Sequence, residues 1–222
     1  MKKMEIKKCI ILANGKSPLK SVIKYFQNKN YSDLICADGG GNTALKLYLI
    51  PKYIIGDFDS ISTLTLRHYS RSTEMIKIKR QNDTDVEKCL KFAVRNHYSE
   101  VILMGVTGNR LDHTFNNLGI LIKYFSKIDL AIVAENSFLK AYNKNIILRT
   151  LPGETISIYG FNSKTKVTSS GLKYPLRNIT LPFGIKDSTS NVSTNHNVIL
   201  KIKNGAIFVI RDLNFVMKND LI

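Results

Sequence analysis

Short apolar runs alternate with helical periodicity along roughly the first 135 residues of the chain. The apolar runs predict buried strands at 8–13, 33–37, 52–55, 75–78, 101–106 and 130–134. The spacing of apolar residues between them predicts helices at 18–28, 43–49, 60–69, 84–97 and 112–125. The clearest of these helices begins at Thr84, because Thr84 and Glu87 form a capping-box pattern. Its predicted buried face carries Val86, Leu90, Ala93 and Val94. Buried strands that alternate with helices predict an open, mostly parallel α/β sheet.

The pattern changes near residue 138, beyond which we find no helical periodicity. Strand-like segments at 145–149, 154–161, 165–169, 198–203 and 206–210 are separated by closely spaced turn residues. Asn204-Gly205 stands between the last two segments and predicts a type I′ hairpin. The second half is therefore predicted to be a small all-β domain, either a sandwich or part of a barrel.

Composition narrows the class of protein. The length of 222 residues suits one large domain or two modest ones, and 44% hydrophobic residues is ordinary for a globular protein. No apolar run reaches the roughly 18 residues that span a bilayer, and the N-terminus lacks the apolar segment of a signal peptide. Cys9, Cys36 and Cys89 lie in apolar segments without close pairing, which predicts buried, reduced thiols. We therefore expect a cytoplasmic protein with no membrane partner.

The chain is strongly basic, with 33 Lys and Arg against 17 Asp and Glu and a net charge of +16. Such a charge favours an anionic substrate such as a nucleotide, or nucleic acid. The lysines are dispersed, and no run of five basic residues occurs. We therefore do not expect nucleic acid as a partner, although a basic nucleic-acid-binding protein remains the alternative from another functional class.

Polar and acidic motifs follow the predicted strands, at Asn14-Gly15, Asp38, Asp57/Asp59, Asp83/Asp85 and Arg110/Asp112. Ligands of open parallel sheets bind beyond the carboxyl ends of the strands, so we expect these motifs to converge at one rim. Carboxylates together with substrate phosphates are typical ligands of Mg²⁺. Asp57 and Asp59, two positions apart in a loop, can contact one ion, and Asp85 is a possible third ligand. Taken alone, Asp83 and Asp85 also fit ordinary acids at a helix start.

Phosphate binding is the second chemical signal. Gly39, Gly40 and Gly41 allow the backbone to approach a phosphate, and Arg110 offers a planar charged fork. Together with a metal these features suit phosphoryl-type transfer. The sequence contains no GxxxxGK[ST] motif, no GxSxG elbow and no zinc-type cluster. A phosphatase of the DxD type is a minor alternative, because its aspartates are expected after the first strand and Asp57 follows the third.

Four stretches carry a resemblance to the thiamine pyrophosphokinase (thiamine diphosphokinase) family: ADGG at 37–40, GDFDS at 56–60, QNDTD at 81–85 followed by KCL, and GVTGNRLDH at 105–113. GLKYPL at 171–176 and Ser190-Asn191 also fit. The resemblance implies transfer of the pyrophosphoryl group of ATP to the hydroxyl of thiamine, with Mg²⁺ and release of AMP. It also implies homodimers with sites between subunits. The implied domains are an α/β catalytic domain at 1–138, which binds ATP and magnesium, and a thiamine-binding β-sandwich at 139–222.

The resemblance also implies roles residue by residue. It assigns the metal to Asp57, Asp59 and Asp85, and the neighbourhood of phosphate and metal to Asp38, Gly39 and Gly40. Contacts to ATP are expected from Asn14, Gln81, Thr84, Gly108 and Arg110. Asp112 is expected to orient the thiamine hydroxyl or accept its proton, or to face the aminopyrimidine, and Ser190 and Asn191 are expected to contact thiamine. The implied catalytic set is Asp57, Asp59, Asp85, Arg110 and Asp112.

Three departures from the family pattern are visible. Asn109 stands where a second glycine is usual, and Val192 stands where an acid often follows Ser-Asn. The chain contains no Trp, so Phe183 or Tyr174 is expected to supply the aromatic surface for thiamine. A related transferase that passes pyrophosphate to another alcohol is therefore a second interpretation.

Overall fold

The computed structural model describes residues 6–80, 82–108 and 110–222. The chain divides into two compact units between Glu135 and Asn136, whereas the boundary predicted at 138/139 lies inside a strand. None of the helices in the described residues is long and apolar enough to cross a membrane.

The first unit contains a parallel sheet flanked by helices, which confirms the predicted α/β alternation. Its described strands are β1 Lys7–Leu12, β2 Asp33–Ala37, β3 Tyr53–Gly56, β4 Glu74–Lys77, β5 Tyr98–Met104 and β6 Asp129–Ala134. Its described helices are α1 Lys20–Asn28, α2 Gly40–Lys46, α3 Thr63–Tyr69, α4 Asp85–Arg95 and α5 Leu111–Tyr124. The strand order is β6-β5-β1-β2-β3-β4.

This order creates a switch point between β1 and β5. The chain first extends the sheet from β1 through β2, β3 and β4, then returns to the other side of β1 with β5 and β6. Beyond the paired strands, Gly15 N donates to Gly105 O at 2.7 Å and Lys16 N donates to Thr107 O at 2.8 Å. The loops after β1 and β5 are thereby fixed side by side at the edge where open α/β sheets bind ligands.

The cysteines lie in the core of this unit. Cys9, Cys36 and Cys89 are buried free thiols, as the sequence predicts. Burial raises the pKa of each thiol, so all three remain protonated at neutral pH.

The start of α4 differs in one respect from the predicted capping box. Thr84 is the N-cap, and its hydroxyl accepts a bond from the backbone N–H of Glu87 at 3.4 Å. The Glu87 carboxylate instead accepts bonds from Lys123 Nζ at 2.6 Å and Tyr124 OH at 2.8 Å. The prediction that the Glu87 carboxylate bonds back to the start of the helix was therefore wrong, because this carboxylate binds Lys123 and Tyr124 on α5 instead. Val94, predicted for the buried face, is only half-buried.

The second unit consists of two antiparallel sheets, and it confirms the predicted β-sandwich. Its described strands are β7 Ser137–Tyr142, β8 Ile146–Arg149, β9 Thr155–Gly160, β10 Lys166–Ser170, β11 Ile179–Thr180, β12 Ser188–Val192, β13 Asn197–Lys203 and β14 Ile207–Asp212. The sheets have the orders β12-β9-β14-β7 and β11-β10-β13-β8. Apolar side chains from both sheets form one core that includes Ile156, Val167, Leu200 and Val209.

Two predictions for this unit were wrong. The expected lack of helix fails at α6, Leu213–Lys218, where Asp212 accepts a capping bond from Phe215 N at 2.7 Å. The expected hairpin at Asn204-Gly205 also fails, because β13 pairs with β8 and β10 while β14 pairs with β7 and β9. Asn204 and Gly205 do have positive φ values of 60° and 157°. The chain turns as predicted, but the turn carries it from one sheet to the other.

Candidate active site

A cavity of about 320 Å³ opens at the switch point of the first unit. It is lined by loop residues that follow β1, β2, β3 and β5 and by the first turns of α4 and α5. Of the predicted site residues, those that line it are Asn14, Asp38, Gly39, Thr84, Asp85 and Arg110. The convergence expected from sequence is therefore observed for this group.

Three aspartates form a tight cluster beside the cavity. One carboxylate oxygen from each of Asp38, Asp57 and Asp59 lies within 4.8 Å of the others. Phe58 has a φ of 69°, so the chain turns sharply between Asp57 and Asp59. Gly56 permits the close approach of this loop to Asp38, because a Cβ at position 56 would lie 2.6 Å from Asp38 Cβ. The cluster thus joins the ends of β2 and β3.

Asp38 is the buried member of the cluster, with a relative exposure of 1%. Its Oδ2 accepts a bond from Ser60 N at 3.1 Å, while its buried Oδ1 accepts none from the described residues. Burial raises the pKa of Asp38 to about 6. A buried carboxylate oxygen without a donor, next to two further carboxylates, fits a divalent cation with oxygen ligands.

Asp85 is not part of this group of three, but its charge acts on Asp38, and its role as a metal ligand stays a prediction. Asp85 Oδ1 accepts a bond from Lys88 Nζ at 2.8 Å, and the same ammonium lies 3.8 Å from Asp57 Oδ2. Burial by itself lowers the pKa of Lys88, but the bond to Asp85 and the surrounding carboxylates raise it overall. Sequence reasoning missed Lys88, although its spacing of three residues from Asp85 puts both on one helix face.

Arg110 and Asp112 form an exposed pair at the start of α5. Arg110 Nε donates to Asp112 Oδ1 at 2.9 Å, and the two side chains are 68% and 62% exposed. This bond from Arg110 holds the pKa of Asp112 well below its usual range, and it raises the pKa of Arg110. Asp112 is therefore ionised at neutral pH.

Two predicted nucleotide contacts lie outside the cavity lining. Gly40 is buried against β1, where an added Cβ would be 2.0 Å from Leu12 O, so packing of α2 on β1 explains this glycine. Gly108 is exposed beside Lys16, with a φ of 119°. Gln81 and Asn109 lie outside the described residues.

Asn117 is a cavity residue that the sequence analysis did not identify. It is 4% exposed, and its Nδ2 donates to Val106 O at 2.7 Å. The bond ties α5 to the loop after β5, which forms one wall of the cavity. Its position four residues after His113, another lining residue, was the available signal.

Ser190 and Asn191, the predicted thiamine contacts, differ in availability. Ser190 is exposed and has a φ of 53°. Asn191 is 1% exposed, and its amide donates to Tyr174 O and Ser188 Oγ and accepts from Tyr174 N and Val192 N. All four hydrogen-bonding positions of this amide are used internally. These bonds hold the segment that carries the exposed Tyr174 ring, and direct contact of Asn191 with thiamine stays a prediction.

Comparison with known proteins supports one family. The model described as "Thiamin pyrophosphokinase, catalytic domain" matches residues 23–133, and "Thiamin pyrophosphokinase, vitamin B1 binding domain" matches residues 144–207. Thiamin pyrophosphokinase 1 of Caenorhabditis elegans is 28% identical over 208 residues, which cover 84% of this chain and 82% of the relative. Thiamine pyrophosphokinase of Bacillus subtilis is 25% identical over 183 residues, with 80% and 86% covered.

Solved structures show the same fold. The thiamin pyrophosphokinase from Candida albicans superposes with a TM-score of 0.81 at 18% identity, covering 94% of this chain and 91% of its own. The yeast thiamin pyrophosphokinase gives a TM-score of 0.79 at 18% identity, with 98% and 90% covered. Because the two family models together span most of both units, this chain belongs to the thiamin pyrophosphokinase family.

Proposed function

We propose that this chain is an ATP-dependent diphosphotransferase that converts thiamine and ATP into thiamine diphosphate and AMP. The observation that carries the proposal is the cluster of Asp38, Asp57 and Asp59 beside the cavity at the switch point. Membership of the thiamin pyrophosphokinase family supplies the substrates.

In this reaction the hydroxyl oxygen of thiamine forms a bond to the β-phosphorus of ATP. The bond from that phosphorus to the oxygen bridging the α- and β-phosphates breaks, and AMP leaves with this oxygen. The hydroxyl proton is released. Such a transfer depends mainly on positioning the reactants and neutralising their charge.

Asp38, Asp57 and Asp59 are proposed to hold Mg²⁺, with Asp85 as the neighbouring carboxylate assigned from the sequence. When bound, Mg²⁺ supplies positive charge to the phosphate oxygens. Arg110 is exposed at the cavity and is proposed to form a two-pronged contact with phosphate oxygens. Asn14, Gly39 and Thr84 line the cavity and remain proposed nucleotide contacts, as do Gln81, Gly40 and Gly108 from the sequence resemblance.

Asp112 is proposed to orient the thiamine hydroxyl rather than to remove its proton. Its low pKa makes it a weak base, while its ionised oxygens accept hydrogen bonds well. Ser190 remains the proposed thiamine contact on the second unit, with the exposed Tyr174 or Phe183 as the stacking surface. A homodimer and a cytoplasmic location are further proposals, which light scattering and fractionation test.

The direct test measures AMP release from ATP and Mg²⁺ with and without thiamine. We expect thiamine-dependent release by the wild type and a loss of about 10²–10³-fold in Asp57→Asn. Glu74→Gln is the matched control, because it removes an exposed carboxylate at the start of β4. Thiamine-independent release, or none, contradicts the function. Near-wild-type activity of Asp57→Asn at saturating Mg²⁺ contradicts the metal site.

A further inference from the structure

Asn42 on α2 ties the loop after β3 to the rest of the first unit. The residue is half-buried, and the bonds described for its side chain all reach residues 60–65. Its Nδ2 donates to Ser60 O at 2.9 Å, while its Oδ1 accepts from Ser62 N at 3.0 Å and from Thr65 Oγ1 at 2.7 Å. One amide therefore holds the segment that leads from the loop into α3.

The direction of this amide is fixed by its two backbone partners. A backbone carbonyl only accepts and a backbone N–H only donates, so exchanging the oxygen and nitrogen of Asn42 would break the bonds to Ser60 and Ser62. Asparagine is also a weak helix former, so helix stability does not explain its position inside α2. The chain approaches closely here, because a Cβ at position 41 would lie 2.8 Å from Ile61 Cδ1. Contact with the segment after β3 accounts for the side chain of Asn42.

Ser60 connects this amide to the acidic cluster. Its backbone N–H donates to Asp38 Oδ2 at 3.1 Å, its hydroxyl donates to Asp59 Oδ1 at 2.8 Å, and its carbonyl accepts from Asn42. Asp59 and Ser60 are both exposed, so burial does not fix them in place. Hydrogen bonds therefore set where the Asp59 carboxylate lies relative to Asp38.

We propose that Asn42 is a positioning residue that orders the loop after β3 before a divalent cation binds. A loop that becomes ordered only on binding loses conformational entropy at that moment, and this loss lowers the affinity. Replacing a residue that orients metal ligands typically costs about 10–100-fold in metal affinity. The inference rests on the proposed magnesium site, but it predicts a quantity other than activity.

Electron paramagnetic resonance, which counts free Mn²⁺, measures binding to the full chain without nucleotide. We expect Asn42→Ala to bind Mn²⁺ about 10–100-fold more weakly than the wild type. Asn28→Ala is the matched control, because it removes an exposed asparagine from α1, and we expect it to keep wild-type affinity. Unchanged affinity of Asn42→Ala overturns the proposal.

The AMP-release assay gives a second readout for the same variant. The Mg²⁺ concentration for half-maximal activity of Asn42→Ala should rise by a similar factor, while kcat at saturating Mg²⁺ should fall less. A lower kcat with an unchanged Mg²⁺ requirement contradicts positioning of the metal loop.

Thr65→Val separates the amide from the general packing of α3. Thr65 is 1% exposed, and the substitution removes its bond to Asn42 Oδ1 but leaves the bonds of Asn42 to Ser60 and Ser62. We expect Mn²⁺ affinity close to that of the wild type. A loss as large as that of Asn42→Ala would assign the effect to packing of α3 and overturn the role of the amide.

Hydrogen exchange on the wild type covers the case in which Asn42→Ala fails to fold. The Ser62 N–H should be protected before Mn²⁺ is added, because its acceptor belongs to Asn42. If this N–H is protected only after Mn²⁺ is added, the ion orders the loop and the proposal is overturned. If the wild type binds no Mn²⁺ at all, the proposed magnesium site fails instead, so the two failures are distinguishable.

Discussion

Replacing Asn191 by Ala tests whether this residue supports the structure of the second unit or contacts a ligand. The substitution removes an amide whose Nδ2 lies 2.7 Å from Tyr174 O and 3.0 Å from Ser188 Oγ. Its Oδ1 lies 3.1 Å from Tyr174 N and 2.9 Å from Val192 N. A typical hydrogen bond contributes about 1 kcal/mol net, so four bonds correspond to about 4 kcal/mol. Entry of water to some of the exposed partners lowers the expected loss to about 3 kcal/mol.

Urea unfolding followed by circular dichroism measures this loss. The two units need not unfold together, so the β-sheet transition of the second unit is the relevant signal. Asn195→Ala is the control, because its side chain is exposed in the same unit, and we expect a change within about 0.5 kcal/mol. Amide hydrogen exchange should also accelerate at Tyr174 in the Asn191 variant and not in the control.

The opposite result has a clear meaning. If Asn191→Ala unfolds within about 1 kcal/mol of the Asn195 control while KM for thiamine rises, the amide does not hold the fold. Asn191 would then contact thiamine directly, as the sequence resemblance implies, and its role in holding this segment would be refuted.

Three further predictions follow from packing, titration and charge. Gly40→Ala should destabilise the protein by about 3 kcal/mol, because its Cβ would lie 2.0 Å from Leu12 O. Gly119→Ala has open space for the new Cβ and should stabilise the protein by up to about 1 kcal/mol. Thermal melting measures both changes in stability, and equal changes in the two variants would contradict the close packing of Gly40 on β1. Burial acts to raise the pKa of Glu87, but its bonded and charged partners lower it overall from 4.5 in the folded state. The ionised carboxylate therefore stabilises the fold above pH 4.5, and this contribution is lost as the pH falls through the folded pKa. The stability of Glu87→Gln should depend less on pH in this acidic range than that of the wild type. Urea unfolding midpoints measured at each pH test this expectation. Arg110→Lys should lower kcat for AMP release by about 10²-fold, because lysine lacks the planar fork; unchanged steady-state kinetics would contradict the phosphate contact.

Local patterns allowed the α/β architecture and the convergence at the rim to be predicted from the sequence. Apolar runs mark buried strands, and Thr84 caps α4 as expected, because both signals depend on neighbouring residues. The side chain of Glu87 could not be placed in this way. Its partners Lys123 and Tyr124 belong to another helix, and they compete successfully with the local cap.

The membership of the acidic cluster shows the same limit. The spacing of Asp57 and Asp59 correctly brings their carboxylates together, because it is set by one short loop. Whether Asp38 or Asp85 joins them depends on distances between separate strands and helices. Lys88 was missed for the same reason, since its second partner, Asp57, is distant in sequence.

The turn at Asn204-Gly205 has a consequence for how the second unit acquires its structure. Because the chain passes here from one sheet to the other, β13 and β14 pair with strands that are distant in sequence. Val198 aligns with Leu148, and Phe208 aligns with Ala141. Contacts between residues so far apart in sequence require large loops to close before they contribute free energy. A local hairpin at this turn therefore cannot nucleate either sheet. We expect the unit to fold slowly, with both layers forming in one shared transition.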